Sequence, residues 1–245
     1  MGGKIKIIAH RGASKEAPEN TIPAFKRAIE IGVDGIELDV LLTKDRVPIV
    51  THNNDLHILT SHKGNIHKIN FSDLKTLDFG SHFDDEFAGT TIPTLTEVIE
   101  LCQVHPVKLY IELKEQPISG IESIVGGLIN DMEFSDRCVV SSFSTKILKN
   151  MKKQFPYIRR GLGVVRRYLR WPPMKASIKE VRASEIHLRS VLANSKIVDW
   201  ANKNDLGISF WTVNEATEML KIAKLKPEGI ITNDPALAKK IIQFN

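Results

Sequence analysis

Short β-rich runs alternate with helical patterns along nearly the whole chain, and no other feature restricts the fold as much. Strand candidates lie at 5–10, 34–42, 47–52, 107–114, 136–142, 159–163, 184–188, 207–212 and 228–232. Helix candidates fall between them at 21–32, 94–104, 119–131, 144–154, 174–182, 194–204, 214–225 and 234–243. Thr94 with Glu97 makes a capping box, Ser144 follows a strand, and Asn214 and Asn233 precede helical patterns, all usable helix starts. Such alternation predicts a parallel α/β fold. The strand count is one more than a (β/α)8 barrel needs. Only Thr43, Lys44, Asp45 and Arg46 separate 34–42 from 47–52, whereas a parallel crossover takes about a dozen residues. The run 47–52 therefore returns antiparallel as a β-hairpin after strand 2. The other eight strands fit a closed TIM barrel, and the 245 residues are close to its usual ~250.

The chain reads as a single barrel domain over 1–245 with one irregular stretch, 53–93, expected as a small inserted subdomain over the strand C-terminal ends. Apolar residues at 42% and charged residues at 26% are globular values. No apolar run reaches the ~18 residues of a membrane span, so stable membrane insertion is not expected. Met1 to Arg11 carries no apolar leader with a cleavage site, and Cys102 and Cys138 sit in apolar surroundings without a CxxC motif. The expectation is a cytoplasmic protein with two reduced core thiols. A net charge of 34 − 29 = +5 suits an anionic small substrate. Arg159, Arg160, Arg166, Arg167 and Arg170 cluster, but no zinc finger, RNP motif or basic-plus-heptad pattern accompanies them, so no nucleic-acid partner is expected.

The chemistry gathers at strand ends. Glu37 and Asp39 alternate with Ile36, Leu38 and Val40, so both carboxylates share one face, inward in a barrel whose aliphatic face packs on helices. Two close inward carboxylates repel unless one is protonated or a cation lies between them. A hairpin turn near 44–45 pairs 37–39 with roughly 51–53 and returns His52 beside the acids. Strand 107–114 places Tyr110, Glu112 and Lys114 on one face, against Leu109, Ile111 and Leu113 on the other. Glu112 completes an oxygen-only set suited to Mg²⁺ or Ca²⁺. His10, Arg11 and Gly12 close the first strand, where barrel active sites lie; Arg11 offers a planar fork for phosphate and Gly12 a tight exit.

These segments, with APENTIPAF (17–25), VVSSF (139–143), FWTVN (210–214) and GIITNDP (229–235), resemble the glycerophosphodiester phosphodiesterase family over nearly the whole chain in the correct order. The resemblance implies a TIM barrel with a small insertion. It also implies metal-dependent hydrolysis of a glycerophosphodiester substrate to an alcohol and glycerol 3-phosphate. It implies Glu37, Asp39 and Glu112 as metal ligands, His10 and His52 as the general acid/base pair, Arg11 and Lys114 as phosphate contacts, and Trp211 as the aromatic near glycerol. Glu19 and Asn20 match the family too, but Thr21 followed by Pro23 also reads as a helix start, and they are left outside the expected site. Asn53 stands where the family usually has Asp, and Leu56-His57-Ile58-Leu59 where it often has Leu-x-Arg-Thr. Asn53 can hydrogen-bond but supplies no charge. The alternatives are a lysophospholipase D-like activity, to which Arg166–Lys175 with Tyr168, Leu169 and Trp171 would lend a membrane-touching face, and a non-catalytic barrel that binds phosphodiesters.

Overall fold

The computed structural model describes residues 4–164 and 171–243. Its nine strands are β1 (Lys6–His10), β2 (Gly35–Leu42), β3 (Pro48–Val50), β4 (Lys108–Leu113), β5 (Cys138–Ser142), β6 (Arg159–Val164), β7 (Glu185–Arg189), β8 (Gly207–Trp211) and β9 (Gly229–Thr232). Eight are parallel and close into a barrel, in the order β1-β9-β8-β7-β6-β5-β4-β2, with β1 pairing β2 to seal the ring. The ninth, β3, lies antiparallel on β2, with Val40 opposite Val50 and Leu42 opposite Pro48. The four-residue link has thus closed the hairpin that its length required.

The helices are α1 (Ile22–Ile31), α2 (Phe71–Leu74), α3 (Leu95–Gln103), α4 (Ile121–Asp131), α5 (Thr145–Gln154), α6 (Trp171–Val181), α7 (Ser195–Lys203), α8 (Ala216–Ala223) and α9 (Pro235–Gln243). Thr94 forms the expected capping box, accepting from Glu97 N at 3.2 Å while Glu97 Oε2 accepts from Thr94 N at 2.7 Å. The other expected caps differ. Ser144 N donates to Ser142 Oγ at 3.1 Å, and the Ser144 side chain caps nothing. Asp234, one residue past Asn233, accepts from Leu237 N at 2.9 Å and caps α9. Helix α6 starts three residues before the expected 174, because Pro172 and Pro173 fall in its first turn, where a missing N–H breaks no helical bond.

Three apolar clusters follow from the strand alternation. Ala9, Ile36, Leu38, Val40, Leu109, Ile111 and Leu113 face outward into the main core with Phe25, Val98, Val125 and Leu148 from the helices. Ile8, Tyr110, Val139 and Ile231 fill the barrel interior, with Trp211 packed on them. The insertion has a core of its own, Leu56, Leu59, Ile66, Leu74, Phe79 and Ile92, built onto Leu41 at the end of β2 and Ile49 on β3. Its α-helix, α2, spans only Phe71–Leu74. The chain turns away at Asp78, whose carboxylate accepts from Gly80 N, Ser81 N and Gly89 N at 2.7–3.0 Å.

Two members of the arginine cluster are committed internally. Arg160 is buried and donates to the carbonyls of Val181 at 2.9 Å and Pro156 at 3.2 Å. Arg159 pairs with buried Glu185 at 2.8 Å. Arg166, Arg167, Tyr168, Leu169 and Arg170 lie outside the described residues. Among the described residues, no helix is long and apolar enough to cross a membrane.

Cys102 and Cys138 are buried and free, and burial pushes each thiol up to about 12. The thiolate is the reacting species. Neither should react with a disulfide-exchange reagent at neutral pH in the native protein. Both should label on denaturation, and rapid native labelling of either one would contradict this packing.

Candidate active site

The site begins where β1 ends. Past His10 the backbone turns through left-handed conformations at Arg11 (φ 59°) and Gly12 (φ 85°). A Cβ on Gly12 would come within 2.7 Å of Ala24 on α1, so glycine alone permits this close exit. The turn is pinned to β2: Arg11 N donates to Glu37 O at 2.9 Å and is 3.2 Å from Glu37 Oε2. The chain then loops back until Asn20 N donates to Arg11 O at 2.9 Å.

Glu37, Asp39 and Glu112 point into the barrel mouth as their alternation required, and a carboxylate oxygen from each lies within 4.8 Å of the others. β2 and β4 are in register, with Asp39 opposite Glu112. Lys114 Nζ bridges them, 3.2 Å from Asp39 and 2.8 Å from Glu112. Arg11 Nε lies 3.3 Å from Asp39 Oδ2, and its Nη1 is 2.8 Å from Glu19. Asn20 donates to Asp39 Oδ2 at 3.0 Å and accepts from Asp39 N at 3.3 Å.

These partners divide the acids. Burial pushes Asp39 up, but Lys114, Arg11 and His52 together hold it below the usual carboxylate range. Burial raises Glu37 well above that range, with the charges of Asp39 and Glu112 adding to it. Glu112 is raised by burial and by Asp39, against the pull of Lys114. Four carboxylates, Glu19 included, share the two cations Arg11 and Lys114, so negative charge is in surplus. The donor set is all oxygen, as a hard divalent cation requires, and a cation would supply the missing charge. On donor chemistry and charge alike, these residues fit such an ion.

His10 Nε2 lies 3.9 Å from Glu37 Oε2, and its Nδ1 is 2.6 Å from Asn233 Oδ1. Burial and the neighbouring Arg11 bring His10 down to about 4. Thr51 N donates to Asp39 O at 2.9 Å, in the anticipated register. His52 lies two residues beyond β3, in a bend where strand alternation no longer sets side-chain direction, and its ring reaches the cavity. Burial lowers His52 as well. Trp211, the last residue of β8, packs edge-on against Phe143 at 5.5 Å, and its buried Nε1 has no hydrogen-bond partner.

All eight side chains named from the sequence line one cavity of about 540 Å³, open mouth included. Sequence reasoning left out several neighbours. Glu19 and Asn20 belong to the shell around Arg11 and Asp39, and the helix-start signal at Thr21 is equally real, since Thr21 caps α1. Asn233 matches a helix-start pattern, while its side chain serves His10. His187, in the middle of β7, and Phe143, just past β5, also line the cavity, and neither is among the residues expected there from sequence.

A model of the glycerophosphoryl diester phosphodiesterase family matches residues 10–237. The chain belongs to this family. It is 37% identical over 238 residues to a glycerophosphodiester phosphodiesterase of Caldanaerobacter subterraneus, covering 95% of each chain. It is 33% identical over 239 residues to one of Bacillus altitudinis, covering 96% of this chain and 97% of the relative. The crystal structure of the Agrobacterium tumefaciens family member superposes with a TM-score of 0.85 at 27% identity, over 97% of this chain and all of that one. An Oleispira antarctica phosphodiesterase, solved with the product sn-glycerol-3-phosphate, superposes at 0.87 with 27% identity, over 97% of this chain and 96% of that one.

The raised Glu37 gives a stability test. An acid whose folded pKa exceeds its unfolded value stabilises the fold at low pH, and that contribution is lost as pH rises through the raised value. Metal-free protein should therefore lose this contribution above the ordinary carboxylate range. Added Mg²⁺ or Ca²⁺ should raise Tm more at about pH 8 than at about pH 5.5, because a bound cation needs the deprotonated ligand. Thermal melts with and without chelator check this; a metal increment that shrinks with rising pH would contradict it.

Proposed function

We propose that this protein hydrolyses glycerophosphodiesters to an alcohol and glycerol 3-phosphate, with a divalent cation held by Glu37, Asp39 and Glu112 and with His10 and His52 as the proton-transfer pair. One observation carries this reading: His10 and His52, three carboxylates, two cations and an unsatisfied indole converge on a single cavity at the barrel mouth. Bound there, a cation would add positive charge beside the phosphoryl oxygens.

Arg11 and Lys114 hold the phosphate. Arg11 has five N–H groups; one is bound to Glu19 and one lies near Asp39, leaving others for a phosphate oxygen. Lys114 faces Asp39 and Glu112 and retains a third ammonium proton. Buried Asp39 and half-buried Glu112 hold Lys114 protonated against the pull of burial. The charge that develops on phosphorus-bound oxygens thus meets fixed donors instead of water. A glycerol hydroxyl would provide the acceptor that Trp211 Nε1 lacks.

One imidazole removes the proton of the attacking oxygen as the P–O bond forms. The other protonates the alcohol oxygen as the bond from phosphorus to that oxygen breaks. Burial lowers both rings relative to an ordinary histidine, which favours the proton-accepting form, and the ring that serves as acid must take up its proton before the step. The attacker is water or the adjacent glycerol hydroxyl, the second route passing through a cyclic phosphate that water then opens.

Metal-reconstituted protein should release glycerol 3-phosphate from glycerophosphocholine, and chelator should abolish the release. His10→Ala and His52→Ala should each lower kcat by about 10²–10⁴-fold while the fold is kept. Glu112→Gln should raise the metal concentration needed for half-maximal rate. Unchanged rates in both histidine variants would overturn the assignment and leave a binding barrel. Preference for long-chain lysophosphatidylcholine over the deacylated diester would favour the lysophospholipase D-like alternative.

A further inference from the structure

His10 and His52 present the same nitrogen to the same kind of group. His10 Nδ1 lies 2.6 Å from Asn233 Oδ1, and His52 Nδ1 lies 3.1 Å from Asn53 Oδ1. The two amides reach the rings from different parts of the fold, Asn233 from the β9–α9 connection and Asn53 from the residue after His52. An amide oxygen accepts and never donates, so the imidazole nitrogen facing it must carry the proton. In a neutral ring the other nitrogen is then the free base. For His10 that nitrogen, Nε2, is turned toward the acids, 3.9 Å from Glu37 Oε2.

Asn233 is itself anchored. Asn214, between β8 and α8, accepts through Oδ1 from Asn233 N at 3.0 Å and from Thr232 Oγ1 at 3.4 Å. One asparagine thus fixes the backbone of the next, whose side chain meets His10. Asn214 and Asn233 both stand at helix starts, yet α8 is preceded directly by Glu215 and α9 is capped by Asp234. Their side chains are committed to this chain of contacts.

We propose that Asn233 and Asn53 are positioning residues that hold His10 and His52 in one shared tautomer, protonated on Nδ1, with Nε2 left for the substrate. The proposal rests on the reading of these histidines as the proton-transfer pair. Its consequence is that both transfers use Nε2. The ring acting as base gains a proton on Nε2 from the attacking hydroxyl and becomes an imidazolium. The ring acting as acid enters as the imidazolium, gives its Nε2 proton to the departing alcohol oxygen, and returns to the Nδ1–H form. The Nδ1 protons stay in place throughout, because a neutral amide oxygen does not take them.

The test is a long-range ¹H–¹⁵N spectrum of the histidine rings in the full-length ¹⁵N-labelled protein, with His10→Gln and His52→Gln identifying the two sets of signals. Wild-type protein should show the Nδ1–H pattern at both rings. Asn233→Ala should disturb the His10 pattern alone and Asn53→Ala the His52 pattern alone. Each should lower kcat by about 10–100-fold with KM nearly unchanged. Asn233→Asp and Asn53→Asp keep an acceptor and should keep the wild-type pattern, a check that survives if an alanine variant fails to fold. An Nε2–H pattern at either ring in wild-type protein, as when the amide NH₂ faces the ring, would overturn the proposal. So would alanine variants with wild-type spectra and kcat. If the tautomers behave as described but His10→Gln and His52→Gln retain full activity, the acid/base reading fails and the tautomer assignment stands.

Discussion

The rest of this structure is arranged around a surplus of buried negative charge. Glu37, Asp39 and Glu112 come from two neighbouring strands in register, where a sheet cannot move them apart. Left alone they would repel one another in a medium that screens poorly. The surroundings respond at short range with Lys114 bridging Asp39 and Glu112, Arg11 beside Asp39, and Asn20 closing both sides of the Asp39 residue. One carboxylate is held ionised and another is held back from ionising, an imbalance that a bound cation would relieve. Structural stability and chemical readiness pull against each other here, as is usual where titratable groups are forced together.

The barrel was legible because its physics is periodic. Alternation along β2 and β4 separated the carboxylates from the aliphatic residues that face the helices, and the four-residue link after β2 admitted no crossover. Strand-end position then gathered His10, Arg11, Lys114 and Trp211 at one rim. What the sequence concealed is what has no period. Thr51 could be placed by counting, but the ladder ends at Val50, and His52 turns inward for reasons a strand pattern does not contain. Asn214 and Asn233 matched a helix-cap signal, and the residue that caps α9 is their neighbour Asp234. A polar residue just before a helix carries one local signature whether it serves the helix or a distant ring, and only the folded chain separates the two. Glu19 and Asn20 were set aside for a similar reason: Thr21 announces α1 so plainly that the two residues before it pass as part of the announcement.

The left-handed turn at Arg11 and Gly12 connects these observations. A chain leaving β1 in extended form would carry Arg11 away from the acids. The turn instead brings its guanidinium between Glu19 and Asp39, and its backbone N–H onto Glu37. A non-glycine residue with positive φ costs conformational energy, and here the returns are an ion pair and a backbone bond to a candidate ligand. The absent Cβ at Gly12 lets α1 approach closely enough to lock the turn.

The insertion joins the barrel at the β2–β3 hairpin. Its apolar centre continues that of the barrel strands at Leu41 and Ile49, while Glu37 and Asp39 on the same β2 strand look into a different compartment. The stretch Leu56–Leu59, where the chain departs from the common family pattern, lies inside that separate centre, with Leu56 and Leu59 buried in it. No residue of 53–93 is among those that line the described cavity. A substitution in that separate centre therefore acts on the packing of the insertion and leaves the spacing of the reacting groups to the barrel strands.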